Sequence, residues 1–145
     1  MFVIVSGLPA SGKTSVAEPL ASALGLRLIS KDAIKQALFE AVGWGDWNWS
    51  KTVSRAADAA MVRLARDLDG AVLDNFWYRE TANELLAALP RPMVEVFCRC
   101  PPEVAYERFR QKLPLGTLGP VIEVDTQRPV AIDAVAARVE AAGRG

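Results

Sequence analysis

The chain has 145 residues, of which 51% are hydrophobic and 23% charged, so we expect one folded domain and not a disordered chain. Its 17 basic and 17 acidic side chains give a formal net charge of zero, which argues against a protein that coats nucleic acid. Histidine is absent, which excludes Ser-His-Asp hydrolases and histidine-ligated zinc sites.

The sequence carries no sign of export or of membrane insertion. No apolar run approaches the ~20 residues that a membrane helix needs. Residues 1–6 lack basic side chains and lead directly into a glycine-rich loop, so we expect no removable signal. Cys98 and Cys100 are separated by one residue at the end of a predicted strand, where extended backbone would hold their Cα atoms about 6.6 Å apart, near the upper limit for a disulfide, so we expect no easy bridge between them. We therefore expect a cytoplasmic protein with reduced cysteines.

Hydrophobic patterning predicts strands that alternate with helices along the whole chain. The predicted strands are 2–5, 26–29, 71–73, 93–98 and 121–124. The predicted helices are 12–24, 32–42, 51–68, 80–89, 101–112 and 132–142, with Ser50 as the N-cap of the third. This alternation predicts an α/β, three-layer fold in which helices flank a five-stranded parallel sheet. Ligands of such sheets bind at the carboxyl ends of the strands.

A phosphate-binding loop follows the first predicted strand. The pattern G-x-x-x-x-G-K-[ST] is matched by Gly7, Leu8, Pro9, Ala10, Ser11, Gly12, Lys13 and Thr14. Its backbone N–H groups would face phosphate oxygens, Lys13 would reach the β- and γ-phosphates, and the Thr14 hydroxyl would coordinate Mg²⁺. Ser15 follows in the first helical turn and belongs to the predicted site. The loop predicts binding of ATP or GTP with Mg²⁺.

Asp32 follows the second predicted strand and therefore lies at the same edge of the sheet as the loop. A carboxylate there could accept the proton of an attacking hydroxyl. It could equally cap the helix that begins after it, which is a common role of aspartate. The residues alone leave both interpretations open.

The loop at 7–14, together with Ser30-Lys31-Asp32-Ala33-Ile34-Lys35, resembles the small P-loop kinases. These include the kinase domain of polynucleotide kinase, chloramphenicol phosphotransferase, gluconate kinase and zeta-toxin-like proteins, and many such bacterial proteins are described as AAA-family ATPases. The resemblance implies transfer of the γ-phosphate of ATP to a small hydroxylated acceptor. It also implies that Asp32 activates the acceptor hydroxyl and that Lys13 stabilises the transferring phosphoryl group.

Further site residues follow from the same resemblance. Asp74 and Asn75 match a segment that orders Mg²⁺-bound water or holds the acceptor, although they could also be a polar turn after a strand. Arg79 could contact the acceptor or a phosphate, or could be a solvated arginine at a helix start. Residues 125–130 resemble the adenine-side loop of nucleoside monophosphate kinases, which places Gln127 and Arg128 beside the base.

The segment where such kinases begin their lid is 106–112 in this chain. By resemblance, Arg108 would flank the base and Arg110 or Lys112 would neutralise the transferring phosphoryl group, although a solvated helix face is an equal alternative. Residues 113–120 carry no charge, whereas family members usually have a longer, arginine-rich lid. We therefore expect a single domain, 1–145, with a shortened lid around 108–120. A nucleotide-binding module without transfer, or a nucleic-acid 5′-hydroxyl kinase, remains an alternative.

Tryptophans are concentrated in the segment between the second and third predicted helices. Trp44, Trp47 and Trp49 lie on a predicted loop, 43–50, among small and polar residues. Trp44 and Trp47 could form a wall for a ring-bearing acceptor, and Asp46 could orient its hydroxyls. Alternatively, the rings could cover a sheet edge or a homodimer contact.

Overall fold

A computed structural model describes residues 1–9, 11–99, 119–125 and 129–144. Its strands are β1 (Phe2–Gly7), β2 (Arg27–Ser30), β3 (Ala71–Asp74), β4 (Met93–Arg99) and β5 (Val121–Asp125). Its helices are α1 (Lys13–Leu24), α2 (Lys31–Val42), α3 (Trp47–Ala65), α4 (Arg79–Leu86) and α5 (Ile132–Gly143).

The strands form one parallel sheet in the order β2-β3-β1-β4-β5. The carboxyl ends of β1, β2 and β3 are therefore neighbours, and the register pairs Asp74 with both Val5 and Ser30. This arrangement confirms the predicted α/β fold with a five-stranded parallel sheet flanked by helices. It also brings the glycine-rich loop, the start of α2 and the end of β3 to a single edge.

The sheet is covered on both faces, which explains the continuous apolar sequence of β1. Val3 and Val5 pack into one cluster with side chains of α1 and α5, while Phe2 and Ile4 pack into a second cluster with side chains of α3 and α4. All four of these β1 side chains are fully buried. A central parallel strand has no solvent face, so it has no reason to alternate polar and apolar residues.

The start of α3 differs from the sequence prediction. The helix begins at Trp47, and the Asp46 carboxylate accepts a hydrogen bond of 2.8 Å from the Trp49 backbone N–H. Asp46 therefore provides the N-cap that was predicted for Ser50. Aspartate is among the strongest N-cap residues, and it satisfies a backbone donor one turn earlier. The predicted loop over 43–50 is correspondingly wrong from Trp47 onward.

Several predicted features lie outside the described residues. They are Ala10 of the glycine-rich loop, Cys100, the helix at 101–112, the lid segment up to 118 and residues 126–128. Cys98, which is described, is buried and is a free cysteine. In the described ranges, no helix combines the length and the apolar character needed to cross a membrane.

Candidate functional site

The glycine-rich loop needs its two flanking glycines for different reasons. Gly7 ends β1 with φ 141°, and a Cβ atom there would lie 2.4 Å from the carbonyl oxygen of Cys98 on the neighbouring strand. Gly12 is the N-cap of α1 and has the left-handed conformation, with φ 79°. Glycine adopts both conformations at low cost, whereas a side chain would be strained. The chain thus turns tightly from β1 into the N-terminus of α1.

Lys13 folds back over this loop. Its Nζ donates a hydrogen bond of 2.8 Å to the backbone carbonyl of Leu8, and it lies 5.9 Å from the centroid of the Phe76 ring. The ammonium group is therefore held beside the loop and the N-terminus of α1. Backbone N–H groups, the helix dipole and a lysine at one place form a positively polarised cradle suited to phosphate.

Thr14 and Asp74 join α1 to the end of β3. The Thr14 Oγ1 donates a hydrogen bond of 3.0 Å to the Asp74 carboxylate. Burial raises the pKa of Asp74 above its usual range, and this effect exceeds the opposing influence of the Thr14 hydrogen bond and the Lys13 charge. The carboxylates of Asp32 and Glu18 raise the pKa of Asp74 further.

The hydroxyl oxygen of Thr14 and the carboxylate oxygens of Asp74 are suited to a Mg²⁺ ion that also binds phosphate oxygens. Mg²⁺ is usually bound through one or two carboxylates, water and substrate phosphates and not by an all-protein cage. The Thr14 hydroxyl and the Asp74 carboxylate are such ligands and already lie within 3.0 Å of each other. The described ranges contain no group of three or more acidic, cysteine or histidine side chains that could hold a metal by themselves.

Asp32 lies in the first turn of α2, and Ser30 occupies the N-cap position. The alternative in which Asp32 caps the helix is therefore wrong. Asp32 is exposed, and among the described residues its side chain makes no hydrogen bond or ion pair. Its charge acts on Asp74, so the two carboxylates share one electrostatic environment. The sheet thus brings Asp32, predicted from a motif, to the Thr14–Asp74 pair.

A polar cluster that the sequence analysis missed adjoins this edge. The Lys31 Nζ lies 2.8 Å from the carboxylate of Asp58 on α3, and the Asn75 side-chain amide donates a 2.8 Å hydrogen bond to the same carboxylate. Lys31 and Asn75 are buried, and Asp58 is partly buried. One signal could have found Asp58, because it lies three and four positions before two buried apolar residues, Met61 and Val62, on the same helix face.

The segment that follows β3 contacts both β1 and the Lys13 side chain. Trp77 is buried, and its indole N–H donates a 3.2 Å hydrogen bond to the carbonyl of Val5 on β1. Phe76 lies beneath the Lys13 ammonium and contacts Tyr78 edge to face, with ring centroids 4.9 Å apart. Arg79, a predicted acceptor contact, is the exposed first residue of α4.

The tryptophan segment is packed locally. Trp44 stacks on Phe39 of α2 with ring centroids 4.2 Å apart, and the Trp49 indole N–H donates to the carbonyl of Gly43. Trp47 is 72% exposed, with the Lys51 ammonium 5.1 Å from its ring centroid. The predicted roles of Trp44 and Trp47 as a wall for the acceptor, and of Asp46 in orienting its hydroxyls, stay predictions.

A cavity of about 850 Å³ lies between α3 and α4. Asp58 and Tyr78 line it near the carboxyl edge of the sheet, and Arg55 and Glu80 contribute charged side chains. This volume lies within the range of small-molecule sites. Since Asp58 also contacts Lys31 and Asn75, the cavity adjoins the polar cluster beside the candidate site.

Four predicted site residues lie outside the described part of the chain. They are Arg108 and Arg110 of the lid segment and Gln127 and Arg128 of the predicted base-side loop. Their roles stay predictions.

Comparison with known proteins finds proteins described as kinases among those similar to this chain. A stretch of 41 residues is 49% identical to the cytidylate kinase of Ignicoccus hospitalis, but it covers 28% of this chain and only 24% of that protein. A solved structure from Chloroflexus aurantiacus, provisionally described as a kinase, superposes with a TM-score of 0.80 and 26% identity. That match covers 97% of this chain and 93% of the other.

A gluconokinase from Sinorhizobium meliloti shares the fold at 22% identity, with a TM-score of 0.65 over 94% of this chain and 91% of that one. Residues 2–117 match the family model described as an AAA domain. This match spans most of the sequence and includes the glycine-rich loop, Asp32 and Asp74. The chain therefore belongs to the AAA domain family, and its fold is that of the P-loop kinases.

Proposed function

We propose that this protein is an ATP-dependent kinase that transfers the γ-phosphate to a hydroxyl group of a small acceptor. The observation that carries the proposal is the sheet register, which pairs Ser30 with Asp74 and so brings the first turn of α2, with Asp32, to the same edge as the Thr14–Asp74 pair. The Asp74 carboxylate accepts a hydrogen bond from the Thr14 hydroxyl of the phosphate-binding loop. The Asp32 carboxylate is exposed and available to a substrate.

On the nucleotide side, the loop from Gly7 to Thr14 and the adjoining Ser15 would bind the triphosphate of ATP or GTP. Thr14 and Asp74 would hold Mg²⁺, which when bound supplies neutralising charge to the phosphate oxygens. Lys13 would exchange its hydrogen bond to the Leu8 carbonyl for a phosphate oxygen. Such fixed charges stabilise a loose, in-line transition state without further reorganisation.

On the acceptor side, Asp32 would accept or orient the proton of the attacking hydroxyl. Its exposure leaves room for an acceptor, and the cavity between α3 and α4 offers a volume for the rest of that molecule. Asn75, Arg79 and the tryptophan segment are further candidates for acceptor contacts. Arg110 would neutralise the transferring group, and Arg108, Gln127 and Arg128 would surround the base.

We further propose that residues 1–145 form a single cytoplasmic domain with a shortened lid.

A second candidate function is a nucleotide-binding module without phosphoryl transfer. It is favoured by the segment 113–120, which supplies no cation that could neutralise the transition state. The zero net charge makes the nucleic-acid 5′-hydroxyl kinase a weaker alternative.

The test is transfer of label from γ-labelled ATP and Mg²⁺ to a panel of polyols, sugar acids, nucleosides and hydroxylated antibiotics. Asp32→Asn is the matched control, because it removes the charge and keeps the side-chain volume. A labelled product that the variant forms at least about 10²-fold more slowly supports the kinase and its base. Binding of ATP without transfer to any acceptor supports the module instead.

A further inference from the structure

Asp58 occupies the centre of the polar cluster that joins three elements of the acceptor side. It comes from α3, and its partners are Lys31 at the start of α2 and Asn75 after β3, each at 2.8 Å. These contacts connect positions separated by 27 and 17 residues along the chain. No other ion pair recorded for the described residues connects two helices.

The cluster is costly to break because Lys31 is buried. An ammonium group out of water needs a counter-charge, and Asp58 supplies it through both of its oxygen atoms. If Asp58 lost its charge, Lys31 would have to move toward solvent to regain hydration. Lys31 is the first residue of α2, so this movement would displace the first turn of that helix.

Asp58 also determines which way the Asn75 amide points. A carboxylate can only accept hydrogen bonds, so the Asn75 Nδ2 must face it and the Oδ1 must face away. Within the described part of the chain, this buried Oδ1 has no hydrogen-bond partner. With an amide at position 58, the Asn75 side chain could turn over, because an amide can both donate and accept.

Each partner of Asp58 is the sequence neighbour of a carboxylate in the candidate site. Lys31 precedes Asp32 in the first turn of α2, and Asn75 follows Asp74 at the end of β3. Asp58 makes no hydrogen bond or ion pair to Thr14, Asp32 or Asp74. Its hydrogen bonds connect it to these groups through the backbone positions of Lys31 and Asn75.

We propose that Asp58 is a positioning residue that fixes the first turn of α2, and with it Asp32, relative to the end of β3. The chemical role of Asp32 in this inference rests on the proposed function. The effect of Asp58 on the position of the first turn of α2 does not depend on that function. A misplacement of about 1 Å in a reacting group can reduce a transfer rate by about 10²-fold. The ion pair thus orients Asp32 from a residue of α3 whose hydrogen bonds go to the neighbours of Asp32 and Asp74 and not to these carboxylates.

The first experiment needs no acceptor. Amide hydrogen exchange is measured on the intact protein and on Asp58→Asn, with Asp67→Asn as the control. Asp67 is also paired with a basic side chain, that of Arg63, but this pair is exposed. The expected result is exchange at least about tenfold faster over residues 30–36 in Asp58→Asn, with unchanged exchange over residues 13–20. Equal exchange over 30–36 in the intact protein and the variant overturns the proposal.

The second experiment is a double-mutant cycle in the rate of phosphoryl transfer to an acceptor from the panel above. Asp58→Asn should lower kcat about 10- to 100-fold at an unchanged KM for ATP. In the Asp32→Asn background the same change should have less than about a twofold effect, because the group that it positions is already missing. An equal loss in both backgrounds means that Asp58 does not act through Asp32.

The two experiments separate the possible failures. If the intact protein transfers phosphate to nothing, the proposed function fails, and hydrogen exchange alone decides whether Asp58 positions α2. If Asp58→Asn does not fold, Lys31→Met replaces it, since this change removes the buried cation together with the pair. It should give the same fast exchange over 30–36, and normal exchange there contradicts the proposal.

Discussion

The nucleotide side and the acceptor side of the candidate site are built in different ways. The phosphate-binding part of the nucleotide side is built from adjacent segments, because a strand, a loop and a helix follow one another within Phe2–Leu24, and Asp74 joins them from the end of β3. The acceptor side brings together the start of α2, the middle of α3 and the end of β3, whose contacts span 17 and 27 residues. A function that depends on local backbone geometry can be recognised from sequence, whereas one assembled from distant side chains cannot.

The largest expected effect distinguishes a buried tryptophan that is hydrogen-bonded to β1 from an exposed one on the acceptor side. Trp77 is 5% exposed and is hydrogen-bonded to β1, whereas Trp47 is 72% exposed on the acceptor side. Trp77→Ala should lower the free energy of unfolding by about 3–5 kcal/mol, because it leaves a cavity and an unpaired carbonyl. Trp47→Ala should change it by less than about 0.5 kcal/mol. Urea unfolding measures both, and similar losses would remove this distinction.

Lys13 should be essential for catalysis but not for folding. Lys13→Met should reduce phosphoryl transfer by about 10²- to 10³-fold, since it removes the fixed charge beside the phosphate loop. Its melting temperature should stay close to that of the intact protein, because the side chain is only partly buried. Lys51→Met, on the acceptor side over the Trp47 ring, is the control and should keep full ATP affinity. Retention of more than a tenth of the transfer rate in Lys13→Met would contradict this assignment.

The loops at Gly7 and Gly45 should differ in how well they tolerate an added side chain. A Cβ at Gly7 would lie 2.4 Å from a backbone oxygen of β4, at φ 141°, so Gly7→Ala should cost about 3 kcal/mol. A Cβ at Gly45 would also approach an atom at 2.4 Å, but that atom belongs to the partly exposed Trp49 side chain, which can move. Gly45→Ala should therefore cost less than about 1 kcal/mol. Thermal unfolding measures both, and equal costs would show that the loop at Gly7 is adaptable.

The charged Asp74 carboxylate should slightly lower the stability of the metal-free protein, although it serves the proposed binding of Mg²⁺. Burial raises the pKa of Asp74, so the folded protein holds this proton more tightly than the unfolded chain. The stability contribution of Asp74 is therefore greatest below the usual pKa of 3.8 and falls as the pH rises through the raised value. Asp74→Asn removes the charge that burial disfavours.

Without metal or nucleotide, Asp74→Asn should melt at a higher temperature than the intact protein at pH 7, and this difference should shrink below pH 3.8. The variant should also lose the Mg²⁺-dependent part of its ATP affinity. Melting curves in EDTA across this pH range test the prediction. A variant that is less stable at pH 7 would show that the Thr14 hydrogen bond outweighs burial.

The sequence predicted the parallel sheet, the phosphate loop and the position of Asp32 at the edge of the sheet, because each is indicated by a pattern of residues that are close together in the chain. Asp46 was recognised as a polar residue but not as the cap of α3, since Ser50 offered the same chemistry four residues later. Asp58 was missed because its partners become neighbours only when α3 packs beside the sheet. Its one local signal was a charge on an apolar helix face.

The most direct test of the two-sided site is the affinity for ATP of the intact protein, Asp32→Asn and Thr14→Ala, measured with Mg²⁺ and with EDTA. Asp32→Asn should bind within about twofold of the intact protein, because its charge serves the acceptor. Thr14→Ala should bind at least about tenfold more weakly with Mg²⁺ and about equally in EDTA. If Asp32→Asn instead lost ATP affinity to the same extent as Thr14→Ala, Asp32 would belong to the nucleotide side and the proposed division would be wrong.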